Sequence, residues 1–209
     1  MALGDWFGDL HILVRWFHVI AGITWLGLLY FFNFVNVPLQ AALDDAGKKA
    51  VNAQLMPRAL WWFRWAAMLT FLFGLVLFTI IYMYAPGNGF GPSPSFREAG
   101  GAIAARAWWI MFGMLLGTIM WFNVWFIIWP AQKKVLGGKA AAEELPAIRR
   151  RAYLTSRVNA YLSGPMLFGM LAPGHFGAID LPTLLVVTVV ALAIMHHVIM
   201  VTGKVGKSV

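Results

Sequence analysis

The chain has 209 residues, of which 61% are hydrophobic and 11% are charged, and its formal net charge is +8. Soluble domains are usually about 45–50% apolar and about 25% charged, so this composition excludes a water-soluble globule and also a disordered chain. Because the sequence has no cysteine, it excludes a disulfide scaffold, thiolate metal sites and covalent c-type haem. An all-α polytopic membrane protein remains, and its basic excess indicates membrane topology rather than nucleic-acid binding.

Five segments are long and apolar enough to cross a bilayer, which takes about 20 residues per helix. They predict a single transmembrane domain, 1–209, built as a bundle of five transmembrane helices. The predicted spans are about 13–39, 59–84, 107–129, 153–172 and 181–202. The Pro- and Gly-rich segment 86–106 between the second and third spans predicts irregular turns. No internal repeat is evident in the sequence.

Basic residues are concentrated in two loops and in the C-terminal tail. They are Lys48, Lys49 and Arg58 between spans one and two, Lys133, Lys134, Lys139, Arg149, Arg150 and Arg151 between spans three and four, and Lys204 and Lys207 in the tail. The positive-inside rule therefore places these loops and the C-terminus in the cytoplasm and the N-terminus outside.

Histidines cluster in the outer half of the predicted bundle. Counting 1.5 Å per residue, we place His18 and Arg15 in the outer half of span one, His11 at the interface and His175 at the outer mouth of span four. Haem b binds between helices through imidazole and needs no cysteine. His18 and His175 lie at similar depth and are the predicted iron ligands, with His11 as a substitute and Arg15 as the partner of a haem propionate. Zinc or copper would fit the same histidines, and each histidine also fits a purely hydrogen-bonding role.

A second polar layer is predicted in the inner half of the bundle. Its members are Arg64 in span two, Asn123 in span three, Asn159 in span four and His197 in span five. Polar groups at membrane depth are functional candidates, and we expect these four to line a pocket for a substrate or a quinone headgroup, with His197 as proton carrier. The alternative is structural, because arginines can snorkel to headgroups and asparagines can join helices by hydrogen bonds.

Several blocks of the sequence carry a family resemblance. They are Arg15–Gly27 (RWFHVIAGITWLG), Met56–Leu60 with Phe63–Thr70, Gly117–Val124 (GTIMWFNV), Ile128–Lys134 and Ser156–Met170 (SRVNAYLSGPMLFGM) up to His175. The last block is similar to a stretch H-N-x-Y-x-x-x-P-x-L-F-x-M…H. Together they resemble the membrane domain of the bacterial membrane-bound urate hydroxylase family, also known as the urate oxidase N-terminal domain family.

This resemblance implies a multi-pass protein of the bacterial inner (plasma) membrane with an oxidoreductase or electron-transport role. The family's enzyme is longer and carries a C-terminal cytochrome c domain. Because this sequence has no Cys-x-x-Cys-His motif, we expect a short form whose electron partner is a quinone or a separate cytochrome. Val158 stands where the family motif has histidine, near the predicted depth of His197, so half of that histidine pair is absent. Span one is also similar to the membrane protoporphyrinogen oxidase family through His18-x6-Trp25-x-Gly27-x-x-Tyr30, which adds Trp25 to the cofactor-binding candidates.

Three functions remain open at this point. The first is a haem b-binding membrane protein that transfers electrons or oxidises a small substrate. The second is a non-enzymatic subunit that stabilises or assembles a larger respiratory or photosynthetic complex within the lipid bilayer. The third is a small-molecule transporter, which five spans without an evident inverted repeat disfavour.

Overall fold

The computed structural model describes residues 6–206, so Lys207, one of the tail residues used for the orientation, lies outside them. The described chain is mostly helical, with one short hairpin and irregular loops between helices, which confirms the all-α prediction. The helices are α1 (Trp6–Tyr30), α2 (Val37–Ala42), α3 (Asp45–Tyr82), α4 (Ala105–Phe122), α5 (Trp129–Leu136), α6 (Leu145–Leu171) and α7 (Leu181–Val201). A π-helical turn, Phe31–Asn36, follows α1, and a second π-helical turn, Asn123–Ile128, follows α4. A 3-10 turn, Ala172–Gly174, follows α6. The short strand β1 (Tyr84–Ala85) pairs with β2 (Gly89–Phe90).

Four continuous helical stretches within the described residues are long and apolar enough to cross a membrane. They are Trp6–Ala42, Asp45–Tyr82, Ala105–Leu136 and Leu181–Val201, and they contain predicted spans one, two, three and five. The predicted fourth span lies within α6, whose hydropathy is lowered by polar residues such as Arg157, Asn159 and Ser163. Several helices are therefore long and apolar enough to span a membrane, while five spans and their orientation stay predictions.

The bundle consists of two antiparallel helix pairs and one further helix. α1 packs along α3, α4 packs along α6, and α7 packs on α6 and touches the first π turn. The core where the two pairs meet contains the buried side chains of Trp25, Leu29, Phe63, Met120 and Met166. Both pairs therefore share one interior, and α7 lies at its side.

Each π turn has a proline as its physical cause. Pro38 and Pro130 have no backbone N–H, and a proline ring clashes with the carbonyl four residues earlier. The residue before each proline instead bonds five residues back, Val37 N–H to Phe32 O and Trp129 N–H to Val124 O. The order of a long helix, a π turn, a short proline-containing helix and a second long helix thus occurs twice in the chain. No such repeat was evident in the sequence.

The first π turn is also held from outside the α1–α3 pair. The carbonyl oxygen of Phe34, which stands four residues before Pro38, accepts a hydrogen bond of 2.7 Å from the Thr202 hydroxyl at the end of α7. Beyond the turn, α2 is fixed to α3 because the side-chain amides of Gln40 and Asn52 bond each other in both directions at 2.9 Å. The chain leaving α1 is therefore anchored on two sides.

The predicted irregular turns of 86–106 are confirmed, with a short hairpin at their start. Gly87 and Gly89 have positive φ, a conformation that glycine adopts without strain. The Ser93 hydroxyl donates to Ile81 O at 2.7 Å and ties this segment back to the end of α3.

Candidate functional site

His18 is held in a defined orientation against α3. Its half-buried ring lies beside Gly74, where an added Cβ would be 3.1 Å from His18 Cε1. Nδ1 lies 2.9 Å from the Thr70 carbonyl oxygen, and because a carbonyl only accepts, Nδ1 carries the proton. Nε2 then holds the lone pair and has no hydrogen-bond partner among residues 6–206. This is the tautomer in which an imidazole binds a metal through Nε2.

His11 lies seven residues before His18 on α1 and already has a partner. The Arg15 guanidinium donates to His11 Nε2 at 3.0 Å, since arginine can only donate. His11 also lines an outer cavity of about 340 Å³ together with Tyr84 and Ser93. Arg15 and His11 therefore form a hydrogen-bonded pair near the N-terminal end of α1, in which Arg15 carries the positive charge.

His175 belongs to a different part of the bundle. It is exposed and follows the 3-10 turn after α6. The Trp109 indole donates to Ala178 O at 3.1 Å, and its ring contacts Phe168 and Phe176, so this segment is fixed to the α4–α6 pair. Within the described residues, no hydrogen bond or ring contact joins His175 to His18.

Trp25 lies seven residues after His18, and this spacing puts both on the same face of α1. Its side chain is 2% exposed, and its buried indole N–H has no hydrogen-bond partner in the part of the chain that the structure describes. A buried donor without an acceptor is costly, so Trp25 can satisfy an acceptor supplied by a bound group.

The positions and hydrogen-bond partners of these side chains can be compared with what a haem b site requires. His18 fits one axial ligand because its free Nε2 is oriented by the Thr70 carbonyl, and Trp25 adds an unsatisfied buried donor on the same face. Within residues 6–206 no hydrogen bond or ring contact joins His175 to His18 or Trp25, so the observed contacts fit ligation by His18 and leave the second ligand open.

The residues of the predicted inner polar layer do not all contact one another, and the two asparagines form a pair of their own. The Asn123 amide donates to Asn159 Oδ1 at 2.7 Å, and the buried Asn159 amide donates to Met120 O at 2.9 Å. These hydrogen bonds join α4 and the π turn after it to α6. They agree with the alternative in which the asparagines hold helices together.

Arg64 and His197 stand apart from that asparagine pair. The Arg64 guanidinium lies 3.8 Å from the centroid of the Trp129 ring, a cation–π contact between α3 and α5. His197 is exposed on α7. Among residues 6–206, no hydrogen bond or ion pair connects Asn123 or Asn159 with either of them. The four residues predicted to share one pocket thus lie in three places: the asparagine pair between α4 and α6, the Arg64–Trp129 contact, and the exposed His197 on α7.

A stripe along α6 contains polar residues that the sequence analysis did not single out. The Arg157 guanidinium donates to the Tyr153 hydroxyl at 3.1 Å, and the Tyr161 hydroxyl lies 2.9 Å from His196 Nδ1 on α7. Spacing by four residues places Tyr153, Arg157 and Tyr161 on one helical face, and that spacing was a signal available in the sequence.

The comparisons with known proteins give one match. A family model described as urate oxidase N-terminal matches residues 98–206, which confirms the family resemblance seen in the sequence blocks. No curated protein and no solved structure matched the chain.

Proposed function

The chain belongs to the urate oxidase N-terminal family, and on that premise we propose that it is an integral membrane protein that binds haem b and acts as an oxidoreductase or electron-transfer protein. We place it in the bacterial inner membrane with five spans, the N-terminus outside and the C-terminus in the cytoplasm. Its electron partner is a quinone or a cytochrome.

One observation carries the haem proposal. The Nδ1–H of His18 is committed to the Thr70 carbonyl at 2.9 Å, which leaves Nε2 as a fixed and basic ligand atom. Haem b, when bound, supplies one-electron transfer at its iron. In this chain His18 would hold the iron, Trp25 would donate a hydrogen bond from its buried indole, and Arg15 would offset negative charge at the outer surface.

The test is an optical spectrum of the detergent-purified protein from haem-supplied cells, oxidised and dithionite-reduced, with a pyridine haemochrome assay. We expect sharp reduced b-type bands at near-stoichiometric haem. His18→Ala is expected to abolish haem retention, and His197→Ala, on the exposed face of α7, is expected to preserve it. Haem retained by His18→Ala and lost from His197→Ala would refute the ligand assignment.

A second candidate function is a non-enzymatic subunit of a larger respiratory or photosynthetic complex. The observation that favours it is the exposure of α7, where His196 and His197 stand among exposed apolar side chains such as Val189 and Ile194. Histidines on a lipid-facing surface are unfavourable, so a neighbouring subunit would cover them. A featureless visible spectrum together with copurification in a discrete larger assembly would select this candidate.

A further inference from the structure

Of the two terminal nitrogens of the Arg157 guanidinium, only Nη2 has a hydrogen-bond partner within residues 6–206. Nη2 donates to the Tyr153 hydroxyl at 3.1 Å, and the guanidinium carbon lies 5.2 Å from the centroid of the Tyr153 ring. Nη1 is buried and has no hydrogen-bond partner among residues 6–206. A charged donor that is buried without an acceptor is strongly unfavourable, so a bound acceptor is expected at this atom.

The acceptor does not come from a carboxylate of the described chain. The ion pair found within residues 6–206 joins Lys48 to Asp45 and does not involve Arg157. Glu144, just before α6, is exposed and stands 13 residues from Arg157, about 20 Å along a helix axis. In the proposed five-span arrangement α6 crosses the membrane, where a charged arginine is usually paired, so we expect a ligand to supply the missing acceptor.

Arg157 faces α7. It stands seven residues before Gly164, so both share one helical face. At Gly164 the two helices are in close contact, because an added Cβ would lie 2.9 Å from Met195 Cγ and 3.1 Å from the Ala191 carbonyl oxygen. One turn beyond Arg157, the Tyr161 hydroxyl meets His196 Nδ1. We call this contact line between α6 and α7 the α6–α7 seam.

The guanidinium lies toward the basic end of this seam. Its bond to Tyr153, four residues earlier, directs it toward the start of α6. The exposed residues Arg149, Arg150 and Arg151 lie at that end, and because α7 runs antiparallel to α6, Lys204 lies there too. A basic pocket between transmembrane helices at a membrane boundary is the arrangement that binds anionic lipid headgroups.

We propose that the basic end of the α6–α7 seam binds the phosphate group of an anionic phospholipid, with Arg157 Nη1 as its buried donor. Tyr153 orients the guanidinium, and the exposed arginines at the start of α6 hold the remainder of the headgroup near the surface. The site is separate from His18 and does not depend on haem.

The experiment compares the full chain in nanodiscs of phosphatidylcholine with nanodiscs that also contain phosphatidylglycerol. Bound lipid is counted by native mass spectrometry, and Tm is measured in both membranes. The wild-type protein is expected to retain phosphatidylglycerol and to gain Tm in its presence. Arg157→Gln is expected to weaken retention by about tenfold, as the loss of one charge-assisted hydrogen bond implies. Arg97→Gln, an exposed arginine of the segment between α3 and α4 and so outside the α6–α7 seam, serves as the control and is expected to retain the lipid.

Tyr153→Phe keeps the positive charge and removes only the hydroxyl that orients it, so it covers the case in which Arg157→Gln fails to fold. It is expected to weaken phosphatidylglycerol retention less than Arg157→Gln does. Equal retention by the wild type, Arg157→Gln and Tyr153→Phe overturns the proposal. Inorganic phosphate added to phosphatidylcholine nanodiscs tests a free ion as the source. A rise in Tm that depends on Arg157 and occurs with phosphate but not with phosphatidylglycerol overturns the lipid assignment.

Discussion

The Nδ1 atom of His18 lies 2.9 Å from the backbone carbonyl oxygen of Thr70, and this bond connects α1 and α3. Thr70 also donates its own hydroxyl to Ala66 O at 2.7 Å within α3. The histidine therefore bonds a rigid helical carbonyl, which fixes the direction of the free Nε2. A ligand atom on such a rigid support needs little reorganisation when it binds.

The space beside His18 gives a first prediction. In Gly74→Ala the new Cβ would lie 3.1 Å from His18 Cε1, so the ring has to move by a few tenths of an ångström. We expect lower haem occupancy by pyridine haemochrome assay and a stability loss of about 1–3 kcal/mol from overpacking. Gly27→Ala is the control, because its Cβ would meet no atom within 4 Å. Equal haem content in both variants would show that the His18 position does not govern binding.

The contact between α4 and α6 gives a second prediction. In Gly113→Ala the Cβ would lie 3.0 Å from the backbone carbon of Gly169 and from the nitrogen of Met170, and a backbone cannot yield as a side chain does. We expect destabilisation by about 1–3 kcal/mol, measured by unfolding in mixed micelles. Gly117→Ala is expected to change stability little, since its Cβ would be 3.7 Å from the flexible Met170 Cε. A larger loss in Gly117→Ala than in Gly113→Ala would contradict this packing.

The asparagine pair gives a third prediction. A double-mutant cycle of Asn123→Ala and Asn159→Ala is expected to give a coupling free energy of about 0.6 kcal/mol, the average for hydrogen bonds between membrane helices. Asn159→Ala alone is expected to cost more than Asn123→Ala, because Asn159 also donates to Met120 O. The quantity measured is the free energy of unfolding in mixed micelles. Strict additivity of the two substitutions would argue against the bond.

The start of α7 gives a fourth prediction, which concerns pH. Hydrogen bonds from Thr183 lower the pKa of the exposed Asp180 carboxylate, which accepts from Thr183 N–H at 2.7 Å. A lowered pKa stabilises the folded protein above the ordinary value of about 3.9, and this stabilisation is lost as the pH falls through the lower folded-state pKa. The hydrogen-exchange protection factors at the first turn of α7, which are corrected for the intrinsic exchange rate at each pH, should therefore fall in acid.

Asp180→Ala is the comparison for this pH effect. The variant is expected to exchange faster at neutral pH and to lose the acid-dependent component, while exchange near the end of α7 stays unchanged. An acid dependence that persists in Asp180→Ala would assign it to another group.

Hydropathy could predict the helices that are apolar throughout, and it was weakest where polar residues are paired inside the bundle. The fourth predicted span lies in α6, whose polar side chains bond other helices, as in Asn33 Nδ2 to Ser156 and Tyr30 with Ser163. Hydropathy also located the second span at about residue 59, whereas α3 begins at Asp45. The earlier start follows from a local signal, because Asp44 caps the helix by accepting from Gly47 N–H at 2.7 Å.

For the candidate site, the sequence predicts a depth for each residue but cannot predict which helices face each other. Rise per residue gives the position of His18 and His175 along the membrane normal, and both were predicted for the outer half. Which helix faces which depends on packing, and packing sets His18 against α3 and places His175 beyond α6 with the α4–α6 pair. The orienting carbonyl of Thr70 is a backbone group, so no residue type in the sequence could reveal it.

The two π turns also govern how related sequences can be aligned. A π turn holds one residue more than the α-helical ladder would, and one residue corresponds to a rotation of about 100° around the axis. Deleting a single residue from Phe31–Asn36 would restore a regular α-helix and leave Gln40 facing Asn52, with which it now bonds on α3, because the extra residue of the π turn is the one removed. A one-residue gap at either π turn therefore preserves the angular phase of the helix that follows, whereas the same gap within a regular α-helix would rotate it by about 100°.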